Sequence, residues 1–423
     1  MKADLLIRNA GQLLTMAEGP VPRVGEAMKF VGLVEGGAVA AAGGVIVAAG
    51  PEADVVASLE LSGDAVVIDA GGSAVTPGLV DPHTHAVFAR TRENEFAMRV
   101  EGRSYEEIAA AGGGIRSSVR AVREASEDDL VGCGRSTLDT MLSYGTTTAE
   151  VKSGYGLSTE AELKMLRAIA RLGQEHAIRV VPTFMGAHEF PDEWRDDRGG
   201  YVNLVVDEML PAVSGEGLAR YCDVFCEKGV FTVEQSRRIL LAAREHGLEP
   251  KLHADELHAF GAAELAGELR ARSADHLVRV SESGMRALAE AGVAAVLLPG
   301  TSLSLGGSAY APARRLIDAG VPVALATDCN PGSSMTESMQ IVAALASMML
   351  RMTPEEVMCA STINAAYACG VEDATGVIAA GRSCDLVVWA VDDYRAIPYH
   401  YGVNLVRQVV ARGVVVRDGR TPY

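Results

Sequence analysis

The stretch Ala74-Val75-Thr76-Pro77-Gly78-Leu79-Val80-Asp81-Pro82-His83-Thr84-His85 decides how this chain is read. Its apolar first half, 74–80, has the character of a buried strand. Side chains alternate along a strand, so His83 and His85 project from the same face. Two imidazoles two residues apart form a pincer for a borderline divalent metal such as zinc. Taken alone, the pair fits two solvated loop histidines equally well. The rest of the chain has to decide between the readings.

The chain has 423 residues, 48% of them hydrophobic, and a mean hydropathy of +0.15. That is enough for a large core and an accessory domain. A formal charge of −17 repels nucleic acid and anionic membranes, so neither is expected as a partner. A small anionic substrate remains compatible, because a local arginine outweighs the distant field. The seven cysteines are scattered, with no CxxC, which points to reduced thiols and a cytoplasmic setting. Met1-Lys2-Ala3-Asp4 carries an acid where a signal peptide has its charged-then-apolar pattern. No apolar stretch reaches the ~18–20 residues of a membrane span. HExxH and the phosphate-binding GxxxxGK[ST] are both missing, so a zincin and an ATP-using enzyme are not expected.

Before the opening stretch, residues 3–72 read as short strands with glycine turns, including a hairpin over 37–41 and 44–50. From residue 74, buried-type strands alternate with amphipathic helices, the pattern of βα units and a parallel sheet. Eight strands are expected, at 74–85, 146–153, 178–188, 222–228, 249–256, 274–277, 294–299 and 321–330. Helices are expected between them over 128–143, 159–176, 232–246, 281–291 and 311–319. Thr159 with Glu162 has the spacing of a capping box, and Ser281 is an expected N-cap. Helical stretches follow at 336–352 and 354–369, and then the glycine-punctuated β pattern returns. The expected fold is α/β, a (β/α)8 TIM-like barrel plus a small β-sandwich domain built from both chain termini. A doubly wound open sheet is the alternative. The expected boundaries are 1–72, 73–370 and 371–423, the outer two forming the composite sandwich.

Chemistry in such a barrel gathers at the C-terminal ends of the strands. Five of the nine histidines fall there: His83, His85, His188, His253 and His276. Glu150, Lys152, Tyr155, Cys226, Glu227, Lys228, Asp255, Glu256, Asp328 and Asn330 sit at strand ends as well. His176, His246, His258 and His400 have structural readings in helices or the C-terminal segment.

This constellation resembles the amidohydrolase superfamily, whose motif is a strand-one His-x-His, a His on strands five and six, and an Asp on strand eight. Here those positions are His83, His85, His253, His276 and Asp328. At finer grain the chain is similar to the imidazolonepropionase family. The matching stretches are 83–88 with Arg92, Glu150-Val151-Lys152-Ser153-Gly154-Tyr155-Gly156-Leu157, Phe184-Met185-Gly186-Ala187-His188, Asp223-Val224-Phe225-Cys226-Glu227, His253-Ala254-Asp255-Glu256 and 326–334. Ser302-Leu303-Ser304-Leu305-Gly306 departs from that family, where bulkier aromatic residues follow the strand-seven Pro-Gly.

The resemblance implies hydrolysis of the ring C–N bond of 4-imidazolone-5-propanoate to N-formimidoyl-L-glutamate, in histidine degradation, by a metal-activated water. His83, His85, His253 and Asp328 are the implied ligands of one divalent metal per chain, zinc or iron. Glu256 and His276 are the candidates for proton transfer and oxyanion stabilisation. Arg92 is placed to grip the propanoate carboxylate. Tyr155, His188, Glu256, Asn330, Gly332 and Ser333 are the other expected substrate contacts. Gly112-Gly113-Gly114 is a candidate hinge, and a homodimer is implied. The alternatives are another cyclic amidase or aminohydrolase of the superfamily, hydantoinase-like or a deaminase, and, more distantly, a non-catalytic barrel scaffold. A second metal at Cys226-Glu227-Lys228 also stays open.

Overall fold

The computed structural model describes residues 2–103, 107 and 113–419. Five strands come first: β1 (Lys2–Leu14), β2 (Leu33–Ala42), β3 (Val45–Pro51), β4 (Glu60–Asp69) and β5 (Ala74–Pro77). The hairpin expected over 37–50 is the antiparallel pair β2–β3. β1 organises this region. Its register slips between Ile7 and Ala10, where Asn9 takes a left-handed φ of 55°. Such a bulge bends a strand, so residues before it pair with β4 and residues after it with β5.

Gly78 is the hinge between the two β assemblies. The single strand expected over 74–85 is two strands. Ala74–Pro77 pairs with β1 and with a C-terminal strand, whereas β6 (Leu79–Thr84) begins the barrel. The Gly78 amide donates to Asp385 in the terminal sheet, and the next amide, Leu79, donates to Gly145 beside the barrel. A Cβ at residue 78 would collide with the Thr147 side chain, so only glycine permits the crossing. Proline at 77 supplies no amide proton, which ends the first pairing.

The barrel continues through β7 (Thr146–Lys152), β8 (Arg179–Ala187), β9 (Tyr221–Cys226), β10 (Glu249–Ala254), β11 (Ser273–His276), β12 (Ala294–Leu297) and β13 (Val323–Leu325). Neighbours pair in parallel in chain order from β6 to β13. Short contacts close the ring. The Asp328 amide donates to His83 O at 3.1 Å, and the His85 amide to Cys329 O at 2.9 Å. Asp81 accepts from the Thr327 amide at 3.1 Å and its hydroxyl at 2.5 Å. This closure decides for a barrel over an open doubly wound sheet.

Helices of the expected phase pack outside. The helix Glu127–Ser143 starts at a Ser126/Asp129 capping box, and Val233–Glu245 at a Thr232/Gln235 box. Ser281 caps Glu282–Ala291 as expected, accepting from the Gly284 amide. The Thr159/Glu162 box is not made. Ser158 caps that helix instead. Glu162 turns inward and accepts the amides of Gly154, Gly156 and Leu157, fixing the loop after β7. The segment expected as one helix over 354–369 is two, Pro354–Ala360 and Ile363–Ala368. The second packs against Val80, Val181, Tyr221 and Val296 in one apolar cluster within the barrel.

The C-terminal strands β14 (Leu386–Trp389), β15 (Val406–Ala411) and β16 (Val414–Asp418) join the N-terminal ones. β14 pairs with β5 to make one mixed sheet in the order β16-β15-β14-β5-β1-β2-β3, with β4 on β1. Leu5, Ile7, Val39, Ile68, Val75, Leu386, Val388 and Val410 share its core, so both termini contribute to it. No helix among the described residues is long and apolar enough to cross a membrane.

Candidate active site

The ends of β6, β10 and the turn after β13 bring four expected residues together. One ring nitrogen from each of His83, His85 and His253 lies within 4.8 Å of the others. Asp328 Oδ1 is 3.4 Å from His83 Nε2 and 3.9 Å from His85 Nε2. All four are buried. The strand alternation that set His83 and His85 on one face therefore holds.

Partners behind the rings fix which nitrogen faces the cluster. His83 Nδ1 is 2.6 Å from Asp275 Oδ2, and His253 Nδ1 is 3.1 Å from Asp223 Oδ1. A ring that donates from Nδ1 presents an Nε2 lone pair, and such carboxylate–histidine pairs typically stand behind metal ligands. His83 Nε2 is buried with no hydrogen-bond partner among the described residues. Burial drives the imidazoles towards the neutral, metal-binding form, and pushes His253 down to about 3. Burial also pushes Asp328 up to about 7. A buried carboxylate facing three neutral imidazoles is a site short of one cation, so the donor set fits a divalent metal. Thr301, on the short helix after β12, donates to the other Asp328 oxygen at 2.6 Å and aims Oδ1 at the histidines.

His276 and Glu256 sit beside this cluster. The His276 ring lies 5.1 Å from that of His253 and 5.5 Å from that of His83. Its Nδ1 is 3.8 Å from Glu256 Oε1, and its Nε2 is buried without a partner among the described residues. Burial lowers the His276 pKa. Burial and the nearby Glu227 charge raise Glu256 to about 7. The backbone here is constrained. Asp255, His276 and Asp328 have φ of 48°, 75° and 52°, a left-handed region costly for residues with a Cβ. Asp255 spends its carboxylate on the amides of Phe260, Gly261, Ala262 and Ala263, which locks the turn that carries Glu256.

The cluster opens into a cavity of about 520 Å³ that Arg92, Tyr155, His188, Glu256, Asn330, Gly332 and Ser333 all help to line. The His188 ring stacks on His85 at 5.0 Å, held by a 3.0 Å contact of its Nδ1 with Gly154 O. Burial lowers His188 to about 4 and keeps the Tyr155 phenol protonated. Arg92 pairs with Glu95 at 2.5 Å, and its Nε is buried without a partner among the described residues. Gly332 lies directly against that guanidinium. A Cβ there would collide with Arg92 Nη1. Asn330 spends its side chain within its own loop, accepting the Gly332 and Ser333 amides at 2.8 Å each and donating to Asp328 O at 2.7 Å. Of the expected hinge, Gly112 lies outside the described residues. Gly114 has φ 81° and lines the cavity. Glu227 is engaged by His258 Nδ1 at 2.9 Å and by the Leu257 amide.

The residues not anticipated are Asp223, Asp275, Thr301, Glu95 and Arg99. Glu95 stands three residues after Arg92 on one helix face, a spacing that signals an ion pair. Arg99 follows on the same helix and lines the cavity, Thr301 sits on the short helix after β12, and Asp223 and Asp275 reach the site on β9 and β11, distant in sequence.

A family model described as "Amidohydrolase family" matches residues 74–416. The chain is 51% identical over 419 residues to an imidazolonepropionase of Geobacillus thermodenitrificans, covering 98% of this chain and 99% of that one. It is 52% identical over 416 residues to an imidazolonepropionase of Symbiobacterium thermophilum, covering 98% and 97%. Among solved structures, guanine deaminase from E. coli superposes with a TM-score of 0.75 at 15% identity, covering 98% of each chain. A zinc-bound adenosine deaminase from Xanthomonas campestris gives 0.71 at 21% identity, covering 99% of this chain and 94% of that one. These two likenesses concern the fold. From the family model and the full-length relatives, the chain belongs to the amidohydrolase family, in the group of the imidazolonepropionases.

Proposed function

We propose that this chain is a hydrolase of a cyclic-amide C–N bond that opens 4-imidazolone-5-propanoate to N-formimidoyl-L-glutamate. The observation that carries the reading is about 50% identity over nearly the whole length to imidazolonepropionases. The site supports it, because a histidine cluster that could hold a metal ion and the Arg92 guanidinium meet at one cavity.

His83, His85, His253 and Asp328 would hold one divalent ion, zinc or iron, which supplies an activated water at neutral pH. Arg92 binds the propanoate tail through charge-assisted hydrogen bonds. Glu95 orients that guanidinium from behind, and Gly332 leaves it room. Tyr155 and His188 flank the flat ring, while the loop of Asn330, Gly332 and Ser333 closes one side. Glu256, ionising near neutrality, takes the proton of the attacking water and delivers it to the leaving ring nitrogen. His276 stays neutral and donates from Nε2 to the oxygen where negative charge develops. One ion per chain is favoured by the engagement of Glu227, which occupies the carboxylate a second metal would need. A cytoplasmic setting agrees with seven free cysteines, six of them buried. A homodimer belongs to the same reading.

The test is spectrophotometric. Metal-loaded protein mixed with freshly prepared imidazolone propionate should remove its ultraviolet band and release N-formimidoyl-L-glutamate. Absence of turnover by metal-loaded protein would contradict the assignment.

A further inference from the structure

Five fully buried charged side chains, Glu150, Lys152, Asp223, Lys251 and Asp275, lie beneath the candidate metal cluster, and of these only the two aspartates have a role so far, behind the histidine rings. They form one connected network. Lys152, the last residue of β7, donates to Glu150 Oε1 at 2.6 Å and to Asp223 Oδ2 at 2.7 Å, and its Nζ lies 3.5 Å from Asp275 Oδ2. Lys251 contacts Glu150 Oε2 and neither aspartate. The aspartates are the acceptors behind His253 and His83. One ammonium thus stands behind two ring orientations on two different strands.

A buried ammonium carries a heavy desolvation cost. A methionine of similar length would fill the same space without it. What methionine cannot do is offset the mutual repulsion of Asp223, Asp275 and Glu150 while holding the aspartates at fixed distances from the rings. Without that counter-charge the carboxylates swing apart, and each ring loses the acceptor that aims its Nε2.

We propose that Lys152 is a positioning residue for the metal centre, setting His83 and His253 together through Asp275 and Asp223. The inference rests on reading these two histidines as metal ligands, and its test keeps the two claims separable. Apoprotein is prepared for the wild type, Lys152→Met, Lys152→Gln, Lys251→Met and His253→Ala, with folding checked by circular dichroism and Tm. Affinity for zinc ion alone is measured by competition with a chelating dye, and the visible absorption of the cobalt(II) form is recorded. If the wild type binds zinc no better than His253→Ala, the ligand reading itself fails. With tight wild-type binding, Lys152→Met should bind zinc about 10–100-fold more weakly, the usual effect of losing a partner behind a ligand, and its cobalt bands should shift. Lys251→Met should lose less. If Lys152→Met does not fold, Lys152→Gln, which keeps N–H donors without the charge, should show a smaller loss in the same direction. Wild-type zinc affinity and cobalt bands in the folded Lys152 variant would overturn the proposal, as would an equal loss in Lys251→Met.

Discussion

The terminal sheet and the barrel mouth are both built on β-strands, yet they bury opposite kinds of residue. The sheet buries Leu5, Ile7, Val75, Leu386 and Val388 against one another. The barrel mouth buries His83, Glu150, Lys152, Asp223, His253, Asp275 and Asp328. Apolar burial stabilises roughly in proportion to area and tolerates substitution of similar volume. Buried polar groups are costly unless each has a partner. In the mouth most have a partner, and two that have none among the described residues, His83 Nε2 and His276 Nε2, belong to rings of the proposed metal and water site. The terminal sheet is held by apolar contact, and the mouth by paired charge.

If that contrast is sound, substitutions in the mouth should change catalysis, and substitutions in the sheet should change only stability. The largest effect is expected at Asp328→Ala or His83→Ala. Elemental analysis should show lost metal, with kcat/KM down by at least about 10³-fold, as expected for losing several kcal/mol of metal catalysis. Glu256→Gln should lower kcat by roughly 10²–10⁴-fold. Its carboxyl is raised to about 7 by burial and by Glu227, so in the proposed mechanism it is protonated below neutrality and serves as a base above it. The kcat/KM profile of the wild type should therefore rise through about pH 7, and that limb should be missing from Glu256→Gln. Arg92→Ala should raise KM about 10–100-fold with little change in kcat, the weight of charged hydrogen bonds worth ~1.5–3 kcal/mol. Gly332→Ala should raise KM by a smaller factor, because its methyl pushes the Arg92 guanidinium aside at a cost of about 1 kcal/mol. At the far end, Leu386→Ala in the sheet should lose ~2–5 kcal/mol of stability in denaturant titration and leave KM and metal content unchanged. A shift in KM there would break the contrast.

Much of this was legible in the sequence because strand periodicity is local. His83 and His85 share a face by alternation alone, Asp328 follows the apolar run 321–326, and His253 and His276 fall in the strand slots of the βα alternation. What the sequence hid was set by non-local pairing. Pro77-Gly78 marks a break within 74–80, but not that the chain passes there from one sheet to the other. That becomes visible only once Thr147 is seen beside it. Glu162 has capping-box spacing from Thr159, but three free amides in the loop 154–157 compete for its carboxylate and win. Lys152, Asp223 and Asp275 sit on β7, β9 and β11, and only barrel closure shows that they meet. Arg92 was readable as a cation near the site. The need for glycine at 332 was not, because it depends on where the guanidinium rests.

In the proposed mechanism Arg92 reads the carboxylate tail and the buried cluster is the seat of hydrolysis. Steady-state kinetics of metal-loaded wild type and Arg92→Ala, on imidazolone propionate and on its tail amide, test that division most directly. The wild type should turn over the propionate and lose about 10–100-fold in kcat/KM on the neutral amide, while Arg92→Ala should treat both alike at the lower value. Equal rates on both substrates by the wild type, or no turnover of the propionate at all, would contradict it.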